Sequence, residues 1–189
     1  MSFPAPKPGL AIHSSFLWSH EQDAGAVEAT KDRPCAIVVA SRKDERGEIR
    51  TLVAPITHAP PEDPEDSLEI PAAVARTLGL DGDRHWLRLD ELNRFAWPGY
   101  DLRPIPGRPG RYDYGLLPQP LFEALKQGVI ERHRARRGRT QARGQAPRIA
   151  GRTERYVRRC SATRRATAAP SPVAVASEPE KPSRTAPMA

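Results

Sequence analysis

A mainly β chain with a few helices, an α+β fold wound as a small and strongly bent sheet or barrel, is what this sequence predicts. Three observations predict it. Short β-branched and apolar runs, among them Ala36 to Ala40 and Ile49 to Ile56, recur as far as Trp97 and are closed by Gly, Pro, Asn or Asp. Only Pro71 to Gly79 and Gln119 to about Arg136 carry helical signals: Pro at the start and Gly at the stop in the first, i, i+3, i+4 apolar spacing in the second. Charge is divided unevenly. Residues 1–125 carry 14 Lys and Arg against 19 Asp and Glu, and residues 126–165 carry 14 against 2. The net charge of +7 therefore belongs to a tail, and the domain that precedes it is mildly acidic.

Taken in order, residues 1–8 form a proline-rich lead-in, and Gly9 to His13 with Ser15 to Trp18 form a first strand bent at Ser14. Residues 19–32 are polar and glycine-containing, which predicts a long loop. Pro34 opens the next strand, since a missing N–H matters least at a strand's beginning. Lys43 to Glu48 is a charged turn with Gly47 free for positive φ, so the strand from Ile49 to Ile56 returns as a hairpin. Ala59 to Asp66, with three prolines and four acids, is a surface loop. Strands over Ser67 to Ile70, Arg84 to Leu89 and Arg94 to Trp97 follow, with the short helix after the first of them. Pro98 to Gly115 has no periodic apolar pattern and reads as a cover over the barrel or as a base-stacking segment. The domain is expected to span 1–136 and a disordered Arg/Ala/Pro-rich tail 137–189.

The two cysteines, Cys35 and Cys160, lie in different regimes and form no paired framework, which suits a reducing cytoplasm. Met1 to Lys7 has no apolar h-region, and no run reaches the ~18 apolar residues of a membrane span. A soluble, cytoplasmic protein without a membrane partner is expected. The five histidines (13, 20, 58, 85 and 133) make no H-x₃-H pair or His/Cys cluster, so no metal centre is predicted. Neither a phosphate-binding glycine loop nor a G-x-S-x-G elbow occurs, and no cofactor is predicted.

The hairpin places Arg33 and Thr57 at the same rim, because both lie at the strand ends opposite the turn. An arginine fork and a hydroxyl in one pocket make a phosphate cradle, since bidentate Arg–phosphate bonds are charge-assisted and directional. From spacing alone a purely structural role is the stronger reading of these residues: Arg33 pairing with Asp32 or a loop acid, and Thr57 capping a turn.

Several motifs then occur in a set order: Lys7-Pro8-Gly9 opening a strand, Arg33-Pro34 before a buried run, Ala54-Pro55-Ile56-Thr57, Leu78 to Leu80, Leu89-Asp90-Glu91-Leu92 and Trp97-Pro98-Gly99. In this order the chain, over about residues 5–130, resembles the PemK/MazF family of toxin endoribonucleases, and especially a PemK-like branch. The resemblance implies an SH3-like barrel of the MazF/CcdB type, a homodimer, and a growth-inhibiting toxin of a type II toxin–antitoxin system bound by a cognate antitoxin. It also implies metal-independent cleavage of single-stranded RNA by attack of the 2′-OH on the adjacent phosphate. Arg33 falls on the family's catalytic arginine and Thr57 on its threonine. Proton transfer would fall to the adjacent His58, which reaches the site only if the strand has already turned, because neighbouring strand residues face opposite ways. Lys31, Arg103, Arg108 and Tyr112 are the candidate substrate-binding residues, placed to neutralise phosphates or stack on bases. The acids Glu62, Asp63, Glu65 and Asp66 just beyond the site oppose a polyanion, and they favour an alternative: a non-catalytic SH3-like barrel that binds RNA or protein without cutting. The basic tail reads either as added RNA affinity or as the product of a GC-rich frame read through or shifted.

Overall fold

The computed structural model describes residues 3–42, 45 and 47–143. Strands β2 (Asp32–Ala40) and β3 (Ile49–Thr57) lie antiparallel at its centre, as the hairpin requires, with Cys35 opposite Pro55 and Ile37 opposite Val53. The turn between them falls largely outside the described residues. Alternation along these strands sends side chains to two separate cores. Cys35, Ile37 and Val53 join Ile12, Phe16, Phe95 and Leu102 on one face. Ala36, Val38, Ala54 and Ile56 join Leu87, Leu125 and Val129 on the other. Covered on both faces, the central strands read as continuous apolar runs, whereas a half-solvated strand would alternate.

On its outer side β2 pairs with β1 (Leu10–Ser15), which in turn pairs with β7 (Asp113–Leu116). The free side of β3 is shared. Its first half pairs with β6 (Glu91–Trp97), and its end pairs with β5 (His85–Arg88), itself paired with β4 (Ser67–Ile70). Six residues separate Leu87 from Asn93 where three separate Ile56 from Val53, so the β5–β6 chain carries three extra residues and must bend. Arg88 and Asp90 bridge that bend with two hydrogen bonds of 2.8 and 2.6 Å. The eight strands form one curled, mostly antiparallel sheet, a half-barrel.

Helix α2 (Ala72–Leu78) begins after Pro71 and stops at Gly79, whose φ of +69° is the left-handed cap that glycine adopts without strain. Helix α3 (Gln119–Arg134) buries Phe122, Leu125 and Val129, one stripe at helical spacing. Gly128 lets it sit close to the β5–β6 bend, since a Cβ there would stand 2.7 Å from Leu89 Cδ1.

Three expectations are corrected. The predicted loop over 19–32 contains helix α1 (Ser19–Asp23), held by the Trp18 N–H donating to Glu21 Oε2 at 3.0 Å. Segment 98–115 both covers the sheet, through buried Asp101, Leu102 and Ile105, and ends in β7. The tail does not begin at 137: β8 (Arg139–Ala142) runs parallel to β6, so α3 is not the last element of the fold. The remainder of the expected tail lies outside the described residues.

Candidate functional site

Arg33 and Thr57 each lie two residues beyond the facing pair Cys35 and Pro55, so alternation puts both side chains on the Cys35 face at one end of the sheet. Arg33 is half-buried, and its guanidinium carbon stands 4.9 Å over the Trp18 ring. Among the described residues it forms no ion pair, and its buried Nε has no hydrogen-bond partner. Asp32, the expected structural partner, instead lies 3.6 Å from Arg103 Nε. Thr57 is buried, and its Oγ1 accepts the Ala59 N–H at 3.1 Å. A hydroxyl has a donor to spare when it accepts, so the turn cap leaves the Thr57 O–H available. Burial pushes the Cys35 thiol up, which makes it a core residue and not a nucleophile.

Other expected residues are distributed unevenly. Lys31 is exposed just before β2. Arg103 is committed to Asp32 and to the Tyr100 carbonyl. Tyr112 packs its ring 5.0 Å from Phe3 and supports the Cys35-face core. Two residues on this rim escaped the sequence. Trp18 carries the Arg33 guanidinium, and exposed His20 stacks on Trp18 with centroids 6.3 Å apart. Their only signal was aromatic character in a stretch too short to show helical periodicity.

His58 does not join Thr57. The register that sets Thr57 opposite Trp86 continues to His58 opposite His85, on the other face of the sheet. Their rings lie 4.6 Å apart, and the Asp81 carboxylate spans them: Oδ2 is 3.2 Å from His58 Nε2, and Oδ1 is 3.1 Å from His85 Nε2. Burial is the larger influence on His85 and lowers its pKa against the opposing pull of Asp81. These groups border a cavity of about 280 Å³ lined also by Pro34, Leu80, Ile105 and Arg108. Arg108 thus belongs to this pocket, where it lies against Gly79, and not to the Arg33 rim. Tyr114 lines it too, with its hydroxyl 2.9 Å from His13 Nδ1 and its phenol pushed up to about 12 by burial. Where histidine spacing predicted no metal centre, the fold gathers His58, Asp81 and His85 with ligand atoms all within 4.8 Å of one another. Spacings of 23 and 4 residues form no local motif. Only the β3–β5 register discloses the set.

The acids beyond Thr57 are engaged elsewhere. Arg132 pairs with Glu65 and Asp66 at 2.9 and 3.4 Å, and Arg137 pairs with Asp63 and Asp66 at 2.7 and 3.3 Å. Arg132 in the last turn of α3 and Arg137 just after it thereby engage three of the four acids of the loop.

Compared with protein-family models, curated proteins and solved structures, the chain matches none. Among the described residues no helix is long and apolar enough to cross a membrane.

Proposed function

We propose that this chain is a metal-independent endoribonuclease acting on single-stranded RNA, the toxin-like component of a type II toxin–antitoxin pair. One observation carries the reading: Arg33 lies over Trp18 with no carboxylate partner among the described residues, and Thr57 shares its face and its end of the sheet. An unpaired guanidinium at a sheet rim is available to a phosphate. In this reading the curled sheet is an SH3-like barrel, the active form is a homodimer, and a cognate antitoxin protein masks the rim.

The 2′-oxygen attacks the adjacent phosphorus and the 5′-oxygen leaves, giving a 2′,3′-cyclic phosphate and a 5′-hydroxyl end. Arg33 holds the charge that builds on the non-bridging oxygens, and the Thr57 O–H donates to one of them. His58 faces away, so the proton travels from the 2′-OH through water to the departing 5′-oxygen. Engagement of the acidic loop by Arg132 and Arg137 lowers the repulsion an RNA strand would meet there.

Purified full-length protein should cut single-stranded RNA in EDTA. Arg33→Ala should slow cutting by at least about 100-fold, the usual scale for losing one transition-state donor, with RNA binding reduced far less. A second reading, an SH3-like module that binds RNA or protein without cutting, is favoured by His58, which pairs with Asp81 on the other face and not beside Thr57. Wild-type protein that binds RNA and leaves it intact selects that reading.

A further inference from the structure

Two stretches of chain, one at His58 and one from Asp81 to His85, meet at the mouth of the cavity on the face opposite Thr57. His58 follows β3, Asp81 lies between α2 and β5, and His85 opens β5. We propose that His58, Asp81 and His85 form a binding site for one divalent cation of the Zn²⁺ kind, with a further coordination position open to the cavity. This site lies apart from the Arg33 rim and does not rest on the nuclease reading.

The donor set selects the class of ion. Two imidazoles and a carboxylate suit Zn²⁺ and its late first-row neighbours, whereas Mg²⁺ and Ca²⁺ call for oxygen ligands throughout. Distances fit as well. Ligand bonds of about 2.0–2.1 Å around a tetrahedral ion leave donor atoms about 3.3 Å apart; here each Nε2 stands 3.1 or 3.2 Å from a different Asp81 oxygen, and the three ligand atoms all lie within 4.8 Å of one another, so the set must close slightly around an ion. An ion can therefore enter by displacing the protons on the two Nε2 atoms that face Asp81, which pass to solvent, with small movements of two exposed side chains, His58 and Asp81.

The surroundings hold the ligands in place. His85 is 3% exposed and fixed between β3 and β4. Its Nδ1 makes no hydrogen bond of ordinary geometry, although the Asp83 backbone acts on the ring from nearby. The Asp83 N–H donates to Asp81 Oδ1 at 3.2 Å and orients that carboxylate. The Asp83 carboxylate lies 3.9 Å from His58 Nδ1, the outer nitrogen, too far for a hydrogen bond, and adds negative charge beside that ring. The two carboxylates outweigh Arg108, which borders the same cavity, so a cation meets net negative charge.

The test titrates the full-length protein with ZnCl₂ by calorimetry and with CoCl₂ by visible absorption. Wild type should take up one equivalent and give the intense bands of low-coordinate Co²⁺. His58→Asn and Asp81→Asn alter exposed side chains, and circular dichroism should show both folded. Each should weaken binding by at least about 100-fold, the upper end of what losing a mere outer-shell partner costs, and abolish the Co²⁺ bands. Failure of wild type to bind either ion saturably overturns the proposal, as does unchanged affinity in both variants.

Discussion

Arg33 and Arg143 meet opposite fates in this fold. Arg143 is 2% exposed and sends Nη2 and Nε to Asp101 Oδ1 at 2.8 and 3.2 Å, while its Nη1 donates to the Val27 carbonyl. One buried ion pair so ties the residue after β8 to the cover segment and to the loop after α1. Burial raises the Asp101 carboxyl pKa, and the Arg143 hydrogen bonds oppose it. Removing one partner of a buried pair strands the other charge, so Arg143→Met should cost about 3–5 kcal/mol in urea unfolding. The loss should shrink as pH falls and the stranded Asp101 takes up a proton, and Asp101→Leu in the same chain should recover part of it. Arg33, by contrast, has an aromatic platform and no counter-ion among the described residues. Its position was legible because the hairpin that places it beside Thr57 joins strands adjacent in sequence. Trp18, which meets Arg33, and His20, which stacks on Trp18, were not, because a one-turn helix sets their places.

At the level of elements, the sequence discloses what local physics decides and conceals what distant pairing decides. Helix α2 announces itself through Pro71 and Gly79, and the structure uses both. Alanine at Gly79 must adopt φ near +69°, and its Cβ would lie 3.0 Å from the Arg108 guanidinium. Gly79→Ala should therefore lower stability by about 1–2 kcal/mol, the cost of a left-handed non-glycine residue, read as a reduced midpoint in thermal unfolding. Strands β7 and β8 have no such local signal. The first lies in a Pro/Gly-rich stretch and pairs with β1 across most of the chain. The second is Arg-Thr-Gln-Ala, without an apolar pattern, and is extended because β6 offers it a parallel edge. The Arg/Ala composition that suggested a tail concealed it. His58 and His85 were hidden in the same way, since only the β3–β5 register makes them neighbours.

For the whole molecule, charge is arranged more locally than the total of +7 implies. Arg132 and Arg137 answer the acidic loop, whereas Arg33 has no ion-pair partner among the described residues. Burial also sets a pH dependence. His13 and His85 both have lowered pKa values, with burial the larger cause. Their neutral forms favour the folded state, so the unfolded chain binds more protons as pH falls below 6.5. Their contribution is complete above that value and is lost on acidification through the depressed folded values. Glu91 and Asp101, raised by burial, act in the opposite sense. His13→Gln should therefore show a shallower loss of stability than wild type on acidification below pH 6.5, measured by urea unfolding at stepped pH. The central claim concerns the rim, and one measurement addresses it most directly: cleavage of a single-stranded RNA in EDTA by wild type beside Arg33→Ala. Cutting by wild type to cyclic-phosphate ends, with the variant slowed by about 100-fold or more, is the result predicted. Equal cutting by the two proteins, or none by wild type, contradicts it.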